Sequence, residues 1–165
     1  MVGEENAGWT YAKFLLSNER TGITRLGFTK TKLAQAKALA AETKVGTGTL
    51  LEDPVFAARF AELENQVLAL ELTQLRIVSS YVSGKENPAS SVLKLRGSEL
   101  QQLATEILTD VAGPDSLPFS AGTDSPTPVW AQRATPTYLN FRKTSIYGGS
   151  NEVQRTIIAS GILGL

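Results

Sequence analysis

A group that moves protons in this chain has to be a carboxylate, a lysine or a tyrosine, because the sequence contains no His and no Cys. The same two absences exclude Ser-His-Asp and Cys-His nucleophiles, imidazole- or thiolate-based zinc sites, and disulfides within the chain. No metal site is expected. Sixteen Asp and Glu are balanced by sixteen Lys and Arg. No global charge therefore draws the chain to nucleic acid or to an anionic membrane.

One carboxylate stands out of pattern. On a helical wheel of about 100° per residue, Ala12, Leu15, Leu16, Ile23, Leu26 and Leu33 share an apolar sector. Glu19 falls inside that sector, one turn after Leu15 and one turn before Ile23. Gly22 beside it would let a backbone or a flat ligand come close. An apolar cleft disfavours a charged carboxylate and raises its pKa toward a proton-transfer range. The alternative is a helix end that flares from the core and leaves Glu19 in water beside Arg20. The residue pattern leaves both open.

A second constellation is TSIYGGSNEVQR, residues 144–155. Gly148 and Gly149 permit left-handed backbone angles, and Ser150 caps a following helix whose first turn carries Glu152. A helix N-terminus offers N–H donors and a positive dipole end, suited to an anion, a carbonyl oxygen or a ribose. An ordinary corner between helices needs the same residues. Elsewhere, Lys30, Lys32, Lys37 and Lys44 read as a solvated face. Arg59, Glu62, Glu64 and Arg76 read as i,i+3 and i,i+4 surface pairs. Trp9 and Tyr11 are placed to anchor the first helix, and Trp130 to pack.

The elements that must position these groups are helices. Proline fits the first helical position, where its missing N–H has no partner anyway. Asp53-Pro54, Asn87-Pro88 and Thr135-Pro136 each open a segment with helical spacing. Five helical segments result: Gly8 to Lys44, Pro54 to about Ser83 with a stop near Gly84, Pro88 to Ala112, Pro136 to Ile146, and one capped by Ser150. Residues 114–129 hold four of the seven prolines and read as loop. In the second segment Phe56, Phe60, Leu63, Val67, Leu70 and Ile77 form the core face. In the third, Val92, Leu93, Leu100, Leu103, Ile107 and Val111 do so. No strand is expected, and Thr47 to Leu50 reads as loop. The fold class is all-α: an up-down antiparallel bundle of four-helix type with an extra C-terminal helix. A chain of 165 residues suits one domain. Residues 1–8 are acidic and lack the apolar centre of a leader peptide, and no apolar run approaches the roughly 20 residues of a membrane span.

Three stretches together resemble one family. IYGGSNEVQRTIIASGILGL resembles the C-terminal signature of acyl-CoA dehydrogenases, Y-x-G-[ST]-x-x-x-Q-R followed by an apolar helix. VGEENAGWTYAKFLLSNERTGI is similar to the start of that family's C-terminal domain, and LRGSELQQLATEILTDVAG to its third-helix segment. The resemblance implies that residues 1–165 are the C-terminal helical-bundle domain. The family's N-terminal helical domain and middle β-domain would precede Met1 and are absent from this sequence. It implies FAD bound between the β-domain and the bundle, an acyl-CoA substrate, an electron-transfer flavoprotein as partner, and a bacterial cytoplasmic setting. It also implies a homo-oligomer (dimer or tetramer) or a heterotetramer with a related subunit.

The reaction so implied is α,β-dehydrogenation of an acyl-CoA thioester. Many members carry the base directly after the signature tyrosine, where this chain has Gly148. Others, of isovaleryl, long-chain and some bacterial types, carry it on the first helix before an arginine, where this chain has Glu19-Arg20. The resemblance thus makes Glu19 the base that removes the α-proton, and Gly148 the N–H donor to the thioester oxygen. Arg20 and Gly149 would line the substrate site. Ser150 and Glu152 would touch the flavin nucleotide, with Asp110 and Gly113 near the adenosine half of a neighbouring subunit's flavin. KVGTGTLLEDP stands where many members have R-x-x-F-G, and GPDSLPF where many have G-G-x-G; the flavin contacts of those motifs do not carry over. The alternative reading is a non-catalytic module that supplies oligomer contacts and part of a flavin site. By itself the chain is expected to be inactive, to lose the flavin and to self-associate through a bared apolar face.

Overall fold

The computed structural model describes residues 3–80, 87–118 and 126–165; in the first helix the side chains of residues 16–21 and 23 lie outside that description. The long helices are α1 (Gly8–Ile23), α2 (Leu26–Glu42), α3 (Pro54–Ser79) and α4 (Ser90–Ala112). Shorter helices α5 (Val129–Gln132), α6 (Ala134–Phe141) and α7 (Asn151–Ile158) follow. Among the described residues no helix is long and apolar enough to cross a membrane.

The fold is organised around α4, which packs against α1, α2, α3, α6 and α7. Leu93, Leu100, Ala104 and Ile107 of α4 are fully buried. They meet Leu33, Ala36 and Ala40 of α2 and the α3 face of Phe56, Phe60, Leu63, Val67, Leu70 and Ile77. All six residues expected on the α3 core face are buried. Asp53 caps α3: its Oδ1 accepts from the N–H groups of Val55 (3.0 Å) and Phe56 (2.8 Å). The expected extension of α3 to Ser83 lies outside the described residues.

Several expectations are corrected. The first helical segment is two helices, broken at Thr24–Arg25, where Arg25 adopts a left-handed conformation (φ 44°, ψ 40°). Leu15 is consequently exposed while Leu33 is buried, so the single apolar wheel over residues 12–33 does not hold. A short hairpin stands where no strand was expected: β1 (Lys44–Val45) pairs antiparallel with β2 (Gly48–Thr49). Leu103 is on the outside of α4. Pro136 lies in the first turn of α6, which starts at Ala134; from Arg142 the chain tightens into a 3₁₀ turn through Ser145. The stretch expected as loop from residue 114 begins inside a 3₁₀ turn, Gly113–Ser116. Arg59 and Glu64, expected to pair along α3, pair with neighbouring helices instead, while Arg96–Glu99 and Arg155–Glu152 are i,i+3 pairs on α4 and α7. Lys30 bonds Glu71, Lys37 bonds Glu64, and Arg59 reaches Glu106 and Asp110. Trp130 packs against the core, as expected.

Candidate functional site

The double-glycine turn is held from below by α4. Gly148 and Gly149 both have positive φ, 67° and 88°. At Gly149 a Cβ would also lie 2.5 Å from Nε2 of Gln154, which is buried beneath the turn. Ser150 caps α7, its hydroxyl accepting from the Val153 N–H at 3.4 Å. On the entry side, the Gln102 amide donates to the Arg142 carbonyl (3.2 Å), and Arg142 Nη2 donates to the Gln102 carbonyl (3.0 Å).

On the exit side sits a residue that sequence reasoning missed. Lys94 is fully buried on α4, and its ammonium donates to Oδ1 of Asn151 at 2.9 Å. Ser98, one turn on, donates to the same oxygen at 3.1 Å. Burial pushes the Lys94 amine below its ordinary range, against the pull of the Glu152 carboxylate. Hydrogen bonds from its own backbone N–H and from Ser150 hold Glu152 below the usual carboxylate range. Glu152 itself is exposed.

The break between α1 and α2 meets α4 at the same level. A Cβ on Gly97 would lie 2.8 Å from Cα of Thr24, so only glycine lets the two backbones approach this closely. Gln101, one turn on, donates to the Thr24 carbonyl at 3.3 Å. Gly97 and Ser98 are consecutive. One level of α4 therefore holds both the end of α1, five residues beyond Glu19, and the start of α7, three residues beyond Gly148.

Glu19 and Arg20 lie in the last two turns of α1; their side chains lie outside the described residues. Gly22 is exposed, with open space where a Cβ would stand. Asp110 and Gly113 are not brought to the turn. They stand at the far end of α4, about 18 Å along the helix from Ser98 at 1.5 Å per residue. There Asp110 pairs with Arg59 at 2.5 Å. The structure thus brings Gly148, Gly149, Ser150 and Glu152 together at the turn and sets Asp110 and Gly113 at the C-terminus of α4.

Beside the turn lies an open cavity of about 570 Å³, lined by Arg25, Phe28, Asn140, Phe141, Lys143, Thr144 and Tyr147. Phe28 and Phe141 stack with centroids 4.6 Å apart, and the Arg25 guanidinium lies 5.2 Å from the Phe28 centroid. Sequence reasoning missed this site too, since its residues come from α2, α6 and the 3₁₀ turn.

The residues at the turn fit part of a flavin nucleotide. The N-terminus of α7 leaves the Asn151 N–H without a partner inside the helix, and the exposed Glu152 carboxylate suits sugar hydroxyls. At the far end, open space adjoins Gly113, whose φ is 54°. Among the described residues no cluster of three or more His, Asp or Glu could hold a metal ion.

Comparison with known proteins agrees with this geometry. The sequence pattern of the family described as acyl-CoA dehydrogenase, C-terminal domain, matches residues 6–163. Acyl-CoA dehydrogenase IpdE1 of Mycolicibacterium smegmatis is 32% identical over 165 residues, spanning all of this chain and 38% of that protein. Acyl-CoA dehydrogenase FadE26 of Mycobacterium tuberculosis is 30% identical over 169 residues, 99% of this chain and 42% of that protein. The chain thus spans about two-fifths of the length of these relatives. Among solved structures, the ChsE4–ChsE5 complex from Mycobacterium tuberculosis superposes with a TM-score of 0.79 at 29% identity, covering 99% of this chain and 41% of that one. Butyryl-CoA dehydrogenase from Megasphaera elsdenii shares the fold, with a TM-score of 0.76 at 21% identity over 98% of this chain and 40% of that one. The chain belongs to the acyl-CoA dehydrogenase family, as a C-terminal domain.

Proposed function

We propose that the protein carrying this domain is an FAD-dependent acyl-CoA dehydrogenase in which Glu19 removes the α-proton of the acyl thioester. The observation that supports this most is the convergence on α4. Gly97 receives the end of α1 and Ser98 the start of α7, so the segments bearing Glu19 and Gly148 meet at one level. Gly148 has no side chain to act as a base. Its N–H would donate to the thioester oxygen, which stabilises the enolate-like charge as the α-proton leaves. Arg20 and Gly149 line the same site, and Ser150 and Glu152 hold the flavin nucleotide by its polar groups. Asp110 and Gly113, at the other end of α4, serve the adenosine half of a neighbouring subunit's flavin. When bound, the flavin accepts the β-hydrogen as hydride.

The same proposal includes an electron-transfer flavoprotein as electron acceptor and a bacterial cytoplasmic setting. It includes a homo-oligomer or a heterotetramer with a related subunit; the ChsE4–ChsE5 structure is itself a complex of two named chains. The 165 residues alone supply the bundle half of the site and no turnover.

Glu19→Gln in the flavin-loaded protein tests the assignment. Loss of a general base lowers acyl-CoA-dependent reduction of an electron acceptor by about 10²–10⁴-fold, with flavin content retained. Adding Gly148→Glu to that variant should restore part of the rate, at about 1–2 kcal/mol for a side chain at positive φ. Undiminished turnover in Glu19→Gln would remove the base from this residue.

A further inference from the structure

We propose that the cavity bounded by Arg25 and Lys143 is a subsite for an anionic group at the end of the acyl chain remote from the thioester. The inference rests on the acyl-CoA dehydrogenase reading above and adds a substrate class to it, acyl-CoAs that carry a terminal carboxylate.

Position comes first. Tyr147 lines the cavity and is the residue before Gly148, so their Cα atoms are about 3.8 Å apart. Arg25, which also lines the cavity, follows the end of α1 by two residues. A ligand with its reacting carbons at Gly148 has this cavity as a neighbour through Tyr147.

The lining is amphipathic in a specific way. The stacked Phe28–Phe141 pair and the Tyr147 ring offer flat apolar surface for a hydrocarbon chain or a ring. Two cations, Arg25 and Lys143, line the cavity, and Lys32 Nζ lies 5.9 Å from the Phe28 centroid. The Arg25 guanidinium lies 5.2 Å from the Phe28 centroid and 5.8 Å from that of Phe141. The Lys143 ammonium is oriented by Asn140, donating to its Oδ1 at 2.9 Å. Among the described residues neither Arg25 nor Lys143 forms an ion pair with a carboxylate, so both charges are available to an anionic ligand.

Backbone strain points the same way. At the break, where Thr24 packs against Gly97, residue 25 lies in the left-handed region, where Gly or Asn fits most easily. Arginine there has no conformational advantage. What it adds is a guanidinium beside the two rings, and strained backbone positions cluster at ligand-contacting sites. An apolar wall with two unpaired cations fits a ligand that is hydrocarbon along its length and anionic at its tip.

The test compares two substrates of equal chain length, octanoyl-CoA and its terminal-carboxylate counterpart suberoyl-CoA, on the flavin-loaded protein. The expected result is a kcat/KM ratio favouring suberoyl-CoA by about tenfold or more, the scale of a hydrogen bond to a charged group. The double variant Arg25→Asn, Lys143→Gln should lower that ratio by about tenfold. Arg25→Asn keeps a residue that tolerates the left-handed conformation, and near-unchanged circular dichroism checks the fold. Lys143→Arg, which keeps the charge, should keep the preference. A wild-type ratio near one would overturn the inference. So would variants that lose both substrates equally, because that outcome assigns the cations to the CoA phosphates shared by the two. If neither substrate is oxidised, nor any other acyl-CoA, the dehydrogenase reading itself fails and the subsite falls with it.

Discussion

Lys94 is the residue whose environment differs most from what its type prefers. An ammonium with no solvent exposure is stabilised only by the groups that solvate it, here Asn151 beneath the start of α7. Burial lowers its folded-state pKa from the ordinary 10.5. Between the lowered value and 10.5 the unfolded chain binds more protons than the folded one, so this residue's contribution to stability rises with pH across that window. It is complete above the unfolded value and is lost as pH falls through the folded one. Comparing urea midpoints of the wild type and Lys94→Met at about pH 7 and about pH 10 isolates the effect. The wild type should gain on the variant at the higher pH; a constant difference would mean that the amine titrates normally. The sequence concealed this residue for a physical reason. Ser91, Lys94, Ser98, Gln101 and Thr105 recur at helical spacing as a polar stripe along α4, yet all five are buried. Polarity marks a face as able to meet water. Whether another helix covers it is decided elsewhere in the chain.

At the scale of elements, the caps of α3 and α7 were legible and the break was not. Asn87 and Thr135, expected to cap the helices at Pro88 and Pro136, do not, since Ala89 and Arg133 hold those positions. Asp53 before Pro54 and Ser150 before Asn151 act through their own first turns, so the local sequence suffices. Asp53→Ala leaves two N–H groups without that acceptor and should cost about 1 kcal/mol, with Asp53→Asn largely neutral in thermal unfolding. Equal losses in both would place the effect outside the cap. The break at Thr24–Arg25 packs instead against Gly97, more than seventy residues away. Gly97→Ala would set a methyl against the Thr24 backbone, and overpacking of this kind costs about 1–3 kcal/mol. A melting temperature unchanged by Gly97→Ala would show that the two backbones can separate freely. Ion-pair partners were misassigned for the same reason, because Arg59 reaches α4 and Lys37 reaches α3 only once the helices lie side by side.

At the scale of the whole molecule, α3 carries two faces. Its buried face matches the periodicity residue for residue, while Leu68, Leu72 and Leu75 form a second stripe, each more than half exposed. An apolar stripe of this kind favours association, in keeping with the proposed oligomer. Leu72→Glu should lower the sedimentation mass of the chain and leave its circular dichroism intact. An unchanged mass distribution would relocate the contact.

What the sequence determined by itself is what short range decides: the helical class, the α3 core face, the caps of α3 and α7, and the glycine turn with its family signature. Each rests on propensity, periodicity or a side chain reaching its own neighbouring backbone. Tertiary structure alone decided where the first helix breaks, which polar stripe of α4 is buried, which charges pair, and that Arg25 and Lys143 share one cavity. Those outcomes depend on atoms far apart in the chain meeting across a packed interface, and no local pattern records that meeting.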